Sequence, residues 1–137
     1  MSLRVLRLQE DAQLPTSESI SKILYSVGEV CLEMGDRAEI PTGISIKCPM
    51  GTYGRIVPLY ELSYKYAIDV IAGIIHPNCV GEIKILLINH GSDPFYIKPG
   101  DKIAQIILER YMQCEITEVF PCNKIDYGHI MNEMHCC

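Results

Sequence analysis

The sequence predicts an all-β domain of the antiparallel sandwich or jelly-roll type. Isoleucine occurs twenty times and tyrosine eight times in 137 residues, and both residue types favour strands. Ten glycines and eight prolines are spread along the chain and divide it into short segments. The length suits a single domain with its own core.

Runs of alternating or continuous apolar residues place about ten short strands at intervals of 8 to 12 residues. The clearest run is Ile44–Cys48, in which apolar and polar residues alternate, so one face of that strand is expected to be wet. The expected strands are 3–8, 23–27, 29–33, 38–40, 44–48, 55–57, 70–75, 83–88, 95–97, 103–111 and 116–120.

The remaining segments are expected to be turns, one loop and one helix. Residues 11–22 contain Pro15 and three serines, which is typical of a loop. Leu59–Ala67 is the one helix candidate. Strands 70–75 and 83–88 are predicted to form a hairpin whose tip is stiffened by Pro77.

We expect one β domain over residues 1–121, followed by an arm over 122–137 that loses the alternation. The formal net charge is −5 and no basic cluster is evident, which disfavours nucleic acid and anionic membranes as partners. The seven cysteines are odd in number and form no CxxC pair, so we expect reduced thiols in an intracellular protein, cytoplasmic or nuclear.

The histidines give no site by themselves. His76 and His90 are most simply solvated loop residues. The arm carries His129, His135 and two terminal cysteines, but adjacent cysteines seldom reach one tetrahedral ion, so no metal site is expected there.

Several ordered segments resemble the trimeric dUTPases, which hydrolyse dUTP to dUMP and pyrophosphate. The opening strand and Leu14–Thr16 resemble the start of that family, and Pro49–Pro58 resembles the approach to its second motif. Residues 68–75 with 81–83 resemble the third motif, and Pro99–Ile107 is close to a full copy of the fourth. The resemblance implies the dUTPase jelly roll (β-clip type) and a homotrimer.

The residues that the family uses for chemistry are largely replaced here. The aspartate of the first motif corresponds to Ile23, and the phosphate-binding Arg-Ser-Gly of the second corresponds to Leu59-Tyr60-Glu61. In the third motif the general base corresponds to His76 and the sugar-stacking tyrosine to Cys79. Gln105 of the fourth motif is retained, and no glycine-rich fifth motif follows residue 120.

These replacements lead to the prediction of a catalytically inactive dUTPase-like protein that binds another, unidentified protein, for example a viral modulator of host signalling. On that interpretation no cofactor is needed. Two alternatives stay open: a dUTP or nucleoside triphosphate diphosphatase with an altered site, which would use Mg²⁺, and a regulatory subunit of active dUTPase trimers.

The expected interaction surface lies around the altered site. Tyr60 lies in the altered second motif, Tyr64 and Tyr66 follow it closely, and tyrosine is enriched at binding hot spots. If the family geometry holds, His76 and Pro77 of the hairpin tip border the same surface. The alternative is that some of these rings fill the space of a nucleotide.

Overall fold

A computed structural model of the chain describes residues 1–78 and 80–121. These residues form twelve β-strands and one short α-helix. The strands are β1 (Arg4–Arg7), β2 (Thr16–Glu18), β3 (Ser21–Tyr25), β4 (Val30–Leu32), β5 (Arg37–Pro41), β6 (Ile44–Lys47), β7 (Thr52–Val57), β8 (Ile68–Val70), β9 (Ile74–Ile75), β10 (Lys84–Asn89), β11 (Phe95–Ile97) and β12 (Lys102–Arg110); the helix is α1 (Tyr60–Tyr66).

The strands pair in antiparallel fashion in four sheets, which confirms the predicted all-β jelly roll. The largest sheet has the order β2-β3-β12-β7-β9, and β12 lies at its centre. A second sheet has the order β5-β10-β8, and two-stranded sheets pair β1 with β6 and β11 with β4. The apolar core contains Leu24 of β3, Ile85 of β10 and Ile106 of β12, each almost fully buried.

Most elements lie where the apolar pattern predicts them. The alternation at 44–48 is confirmed, because Ile44, Ile46 and Cys48 are buried while Lys47 is exposed. The helix candidate is confirmed as α1, which ends at Ala67 in the left-handed conformation (φ 55°). None of its residues is fully buried, so the helix lies on the surface of the β domain.

The predicted hairpin is only half correct, because residues 70–75 do not form one strand. β8 pairs with β10 as expected, whereas β9 pairs with β7 in the other sheet. The chain changes sheets at Gly73, whose carbonyl accepts a hydrogen bond from the Ile56 N–H at 2.6 Å. A Cβ at residue 73 would lie 2.5 Å from the Ile56 carbonyl oxygen, so this close crossing requires glycine.

Two further predictions fail locally. Residues 11–22 are not wholly a loop, since β2 and the start of β3 lie within them. Residues 116–120 are exposed and form no strand in the described chain. The predicted arm 122–137 and Cys79 lie outside the described residues. In the part of the chain that the structure covers, no helix is long and apolar enough to cross a membrane.

Candidate active site

The centre of the largest sheet brings together the segments that correspond to the first, second and fourth dUTPase motifs. In the strand register Gln105 of β12 lies opposite Ile23 of β3 on one side and opposite Val57 of β7 on the other. The Gln105 Oε1 accepts a hydrogen bond from the Ser21 hydroxyl at 2.7 Å, and its Nε2 donates to the Pro58 carbonyl at 3.0 Å. We call Ser21, Pro58 and Gln105 the junction.

The junction fixes the residues that replace two family motifs. Ile23 is 5% exposed, so the position of the first-motif carboxylate is filled by a buried apolar side chain. Leu59-Tyr60-Glu61 follows Pro58 directly and begins α1. The sequence-predicted remnant Gln105 is therefore brought beside the altered first and second motifs within a single chain.

The tyrosines of α1 are on the surface. Tyr60 and Tyr64 are each 78% exposed and their rings stack with centroids 5.9 Å apart. Tyr66 is half exposed, and the centroid of its ring lies 5.1 Å from the centroid of the Phe95 ring. In this chain the rings of Tyr60 and Tyr64 fill no interior space.

The hairpin tip lies beside a different groove. His76 is exposed and lines an open groove of about 890 Å³ together with Pro77 and the aromatic rings of Tyr53 and Tyr111. Tyr64 and Tyr66 line a separate, small groove of about 150 Å³ with residues 91–93. The surface predicted around the tyrosines and the hairpin tip is thus divided between two grooves.

His76 and the junction are separated along strand β7. Ile75, the neighbour of His76, lies opposite Gly54, whereas Gln105 lies opposite Val57. Gly54 and Val57 are three positions apart on β7, which corresponds to roughly 10 Å along the strand. One copy of the chain therefore holds the candidate base and the retained glutamine apart.

A hydrogen-bonded cluster at the groove was missed by the sequence reasoning. The Tyr53 hydroxyl donates to Glu109 at 2.5 Å, and Arg55 lies 3.4 Å from the same carboxylate. The hydrogen bond from Tyr53 lowers the pKa of Glu109 and raises the pKa of Tyr53. Tyr53 and Tyr111 also pack edge to face. The cross-strand register of β7 and β12 creates this cluster, so no short sequence motif predicts it.

Metal ligands are not concentrated among the described residues. Residues 1–78 and 80–121 contain no group of three His, Cys, Asp or Glu side chains that could hold a metal ion. The His and Cys side chains of the arm lie outside that range.

A family model described as dUTPase matches residues 13–130 of this chain. The match agrees with the antiparallel jelly roll and with the order of the motif segments. The chain is 43% identical over 121 residues to the deoxyuridine 5'-triphosphate nucleotidohydrolase of Paramecium bursaria Chlorella virus 1, covering 86% of each protein. It is 44% identical over 130 residues to the putative enzyme of that name from Frog virus 3, covering 93% of this chain and 79% of the relative. The chain belongs to the dUTPase family.

A plant relative supports the same family, and a solved structure supports the same fold. The rice deoxyuridine 5'-triphosphate nucleotidohydrolase is 40% identical over 120 residues, covering 85% of this chain and 70% of the rice protein. A mutant dUTPase from phage phi11 of S. aureus superposes with a TM-score of 0.81 at 21% identity, covering 87% of this chain and 97% of the phage protein. The superposition supports the fold.

The prediction of a catalytically inactive interaction protein is wrong, because relatives 40–44% identical over most of the chain are dUTP nucleotidohydrolases. The expectation that the replaced motif residues abolish enzymatic activity is wrong for the same reason. Replacement at six residues does not outweigh the match along 85–93% of the chain. The retained junction around Gln105 and the ability of a histidine to accept a proton near neutral pH are both compatible with catalysis.

Proposed function

We propose that this protein is a nucleoside triphosphate diphosphatase of the dUTPase class with an altered active site. Its substrate is dUTP or a related nucleotide, and its products are the monophosphate and pyrophosphate. The observation that carries the proposal is the 40–44% identity to deoxyuridine 5'-triphosphate nucleotidohydrolases over 85–93% of the chain. The site residues named above supply the chemistry that the proposal requires.

His76 is the proposed general base. A neutral imidazole accepts a proton from water as the water oxygen attacks phosphorus, and the bond from that phosphorus to the departing pyrophosphate oxygen breaks. His76 is exposed to the groove of about 890 Å³, so water and substrate can both reach it.

Gln105 is the proposed phosphate contact of the junction. A primary amide carries two N–H donors, and the Nε2 of Gln105 uses one of them on the Pro58 carbonyl. The second donor can bind a phosphate oxygen while the first keeps the side chain fixed. Because Leu59-Tyr60-Glu61 offers no forked guanidinium, we expect weaker phosphate binding at this position than arginine would give. Cys79 is retained as a proposed substrate contact.

Magnesium belongs to the proposal as part of the substrate. The solved phage phi11 structure is described with a structural Mg(II) ion. The described residues of this chain do not fit a protein-held ion, since Ile23 occupies the first-motif position and no group of three ligands is present among them. Mg²⁺ commonly binds through nucleotide phosphates and water, so it would enter as the magnesium complex of the triphosphate.

A homotrimer inside the cell is the proposed working state. Met112 and Ile116 are 89% and 99% exposed in a segment that has no strand partner within the described chain, which favours a second copy as its cover. The separation between His76 and Gln105 also favours a site completed by neighbouring copies. Light scattering should give about three times 15.4 kDa, and a mass of one chain at micromolar concentration would contradict the trimer.

The test of the function is pyrophosphate release from each common deoxynucleoside triphosphate in the presence of Mg²⁺. We expect turnover with at least one of them, and a loss of roughly 10²- to 10⁴-fold in kcat for His76→Ala, the usual cost of removing a general base. His90→Ala is the matched control, because His90 is also exposed in a turn but lies outside the groove. Absence of turnover with every substrate, or full activity in His76→Ala, would overturn the proposal.

A further inference from the structure

Two positive side chains stand directly opposite each other at the edge of the molecule. In the antiparallel pair of β1 and β6, Arg4 lies opposite Lys47. Directly opposed residues have Cβ atoms about 4.5–5.5 Å apart, and like charges at this distance repel each other. Both residues are exposed, and the ion pairs found among the described residues join other side chains. The repulsion is therefore left uncompensated within the described chain.

Among the described residues, no carboxylate lines the two grooves beside this pair. Arg4 and Lys47 both line two neighbouring grooves of about 480 and 500 Å³. Neither groove is lined by an aspartate or glutamate, although the chain has 17 acidic residues and only 12 Lys and Arg. Leu6 and Ser45 alternate onto the same strand face and complete its floor. Arg4 and Lys47 thus give both grooves a positive lining, and we call the two grooves together the basic groove.

The basic groove adjoins the hairpin tip that carries the candidate base. Pro77 and Asn78 line the groove of about 480 Å³ on one side and the groove of His76 on the other. The tip therefore lies between the two cavities. A ligand with its reacting phosphorus near His76 can extend its charged end past Asn78 towards Arg4 and Lys47.

We propose that Arg4 and Lys47 bind the polyphosphate chain of the nucleotide. The inference rests on the proposed function, because it adds two phosphate-binding residues to the Gln105 contact proposed for that reaction. An arginine makes forked hydrogen bonds to two phosphate oxygens, and a lysine adds a compact point charge. A bound phosphate also removes the repulsion between the two cations. This pair takes the electrostatic role that Leu59-Tyr60-Glu61 cannot fill in the second motif.

Calorimetric titration with inorganic tripolyphosphate tests the site without requiring turnover. In Arg4→Gln/Lys47→Gln we expect the dissociation constant to rise by at least about tenfold, because two charge-assisted contacts are lost. The matched control is Arg7→Gln/Lys98→Gln, which changes the net charge equally. Arg7 lies on β1 but lines neither groove, and Lys98 is exposed on a distant turn. The control should stay within about twofold of the wild type, since general charge attraction alone is weak at these exposed sites.

Thermal unfolding without any anion supplies an independent measurement and checks folding. Since the two cations repel each other, Lys47→Gln at low salt should unfold at the same or a higher temperature than the wild type. Addition of tripolyphosphate should raise the unfolding temperature of the wild type and of the control variant, but not that of Arg4→Gln/Lys47→Gln. A wild type that does not bind tripolyphosphate, or a double variant that binds it as well as the control, would overturn the inference.

Kinetic measurements distinguish failure of this inference from failure of the proposed function, and a DNA-binding measurement tests another ligand. If nucleotide turnover occurs and the KM of Arg4→Gln/Lys47→Gln equals that of the control, the inference is wrong while the function stands. If no turnover occurs but tripolyphosphate binding is lost only in that variant, the function is wrong and the polyphosphate site stands. If short single-stranded DNA binds more tightly than tripolyphosphate and depends on the same two residues, the groove contacts nucleic acid and our inference is wrong.

Discussion

The junction and the hairpin tip differ in burial and in hydrogen bonding, although they belong to one domain. At the junction, Gln105 is half buried between two strands and both ends of its amide are hydrogen-bonded. At the hairpin tip, His76 and Asn78 are exposed and face open grooves. The contrast separates a proposed phosphate contact that also holds strands together from tip residues that lie open to solvent. Replacements at the junction should act first on stability, and replacements at the tip should act first on chemistry.

The largest effect on stability is expected at the junction. In Gln105→Glu the carboxylate still accepts from Ser21 but cannot donate to the Pro58 carbonyl, which loses its partner. We expect the free energy of unfolding to fall by about 1 kcal/mol, the lower end of the usual cost of an unsatisfied buried group, because this bond is only part-buried. Urea unfolding of this variant against Gln113→Glu measures the effect, because Gln113 is exposed and undergoes the same chemical change. Equal losses in the two variants would show that the junction bond is unimportant.

The same variant should be sensitive to pH. A protonated carboxyl group regains the donor that the Pro58 carbonyl needs, so protonation of the carboxyl group introduced by Gln105→Glu should restore this hydrogen bond. The restored bond should add stability at acidic pH, where more of the carboxyl groups are protonated. The deficit relative to Gln113→Glu should narrow on acidification. A deficit that is constant with pH would contradict this account of the bond.

A smaller effect is expected at the wall of the His76 groove. In Tyr53→Phe the carboxylate of Glu109 loses the hydrogen bond that contributes most to its lowered pKa. The pKa of Glu109 should rise towards its ordinary value, and NMR titration of the carboxyl carbon measures the change. Because the folded-state pKa is lowered in the wild type, the stabilisation is present above the unfolded pKa and is lost as the pH falls through the folded one. Tyr111→Phe is the control.

The pKa of Glu109 in Tyr111→Phe should match the wild type, since this change keeps the edge-to-face ring contact and leaves the Tyr53 hydroxyl in place. If Tyr53→Phe leaves the titration of Glu109 unchanged as well, the hydrogen bond does not control this carboxylate. The groove would then be held by ring packing alone.

The smallest effect is expected on the exposed face of α1. Tyr60→Ala/Tyr64→Ala removes two stacked rings that are each 78% exposed, so the free energy of unfolding should change by no more than about 0.5 kcal/mol. Leu62→Ala in the same helix should cost more, because Leu62 packs against the core. Denaturant unfolding compares the two variants. A larger loss in the tyrosine variant would place these rings in the interior.

The sequence alone determined the class of the fold and the positions of most strands along the chain. Apolar alternation located β6 and β10 because one face of each strand must be buried, and this constraint acts on neighbouring residues. The copy of the fourth motif likewise identified Gln105 before its surroundings were known. Composition and charge excluded no enzymatic function, and the replaced motif residues led to the wrong conclusion about activity.

Tertiary structure alone decided which distant residues meet. Ser21 and Gln105 are 84 positions apart, and Arg4 lies opposite Lys47 only through the register of β1 with β6. Likewise, residues 70–75 divide between two sheets because Gly73 crosses against Ile56. Local patterns encode burial and backbone preference over a few residues. Register and crossings depend on the packing of the whole domain, so the junction, the Tyr53–Glu109 bond and the basic groove became visible only in three dimensions.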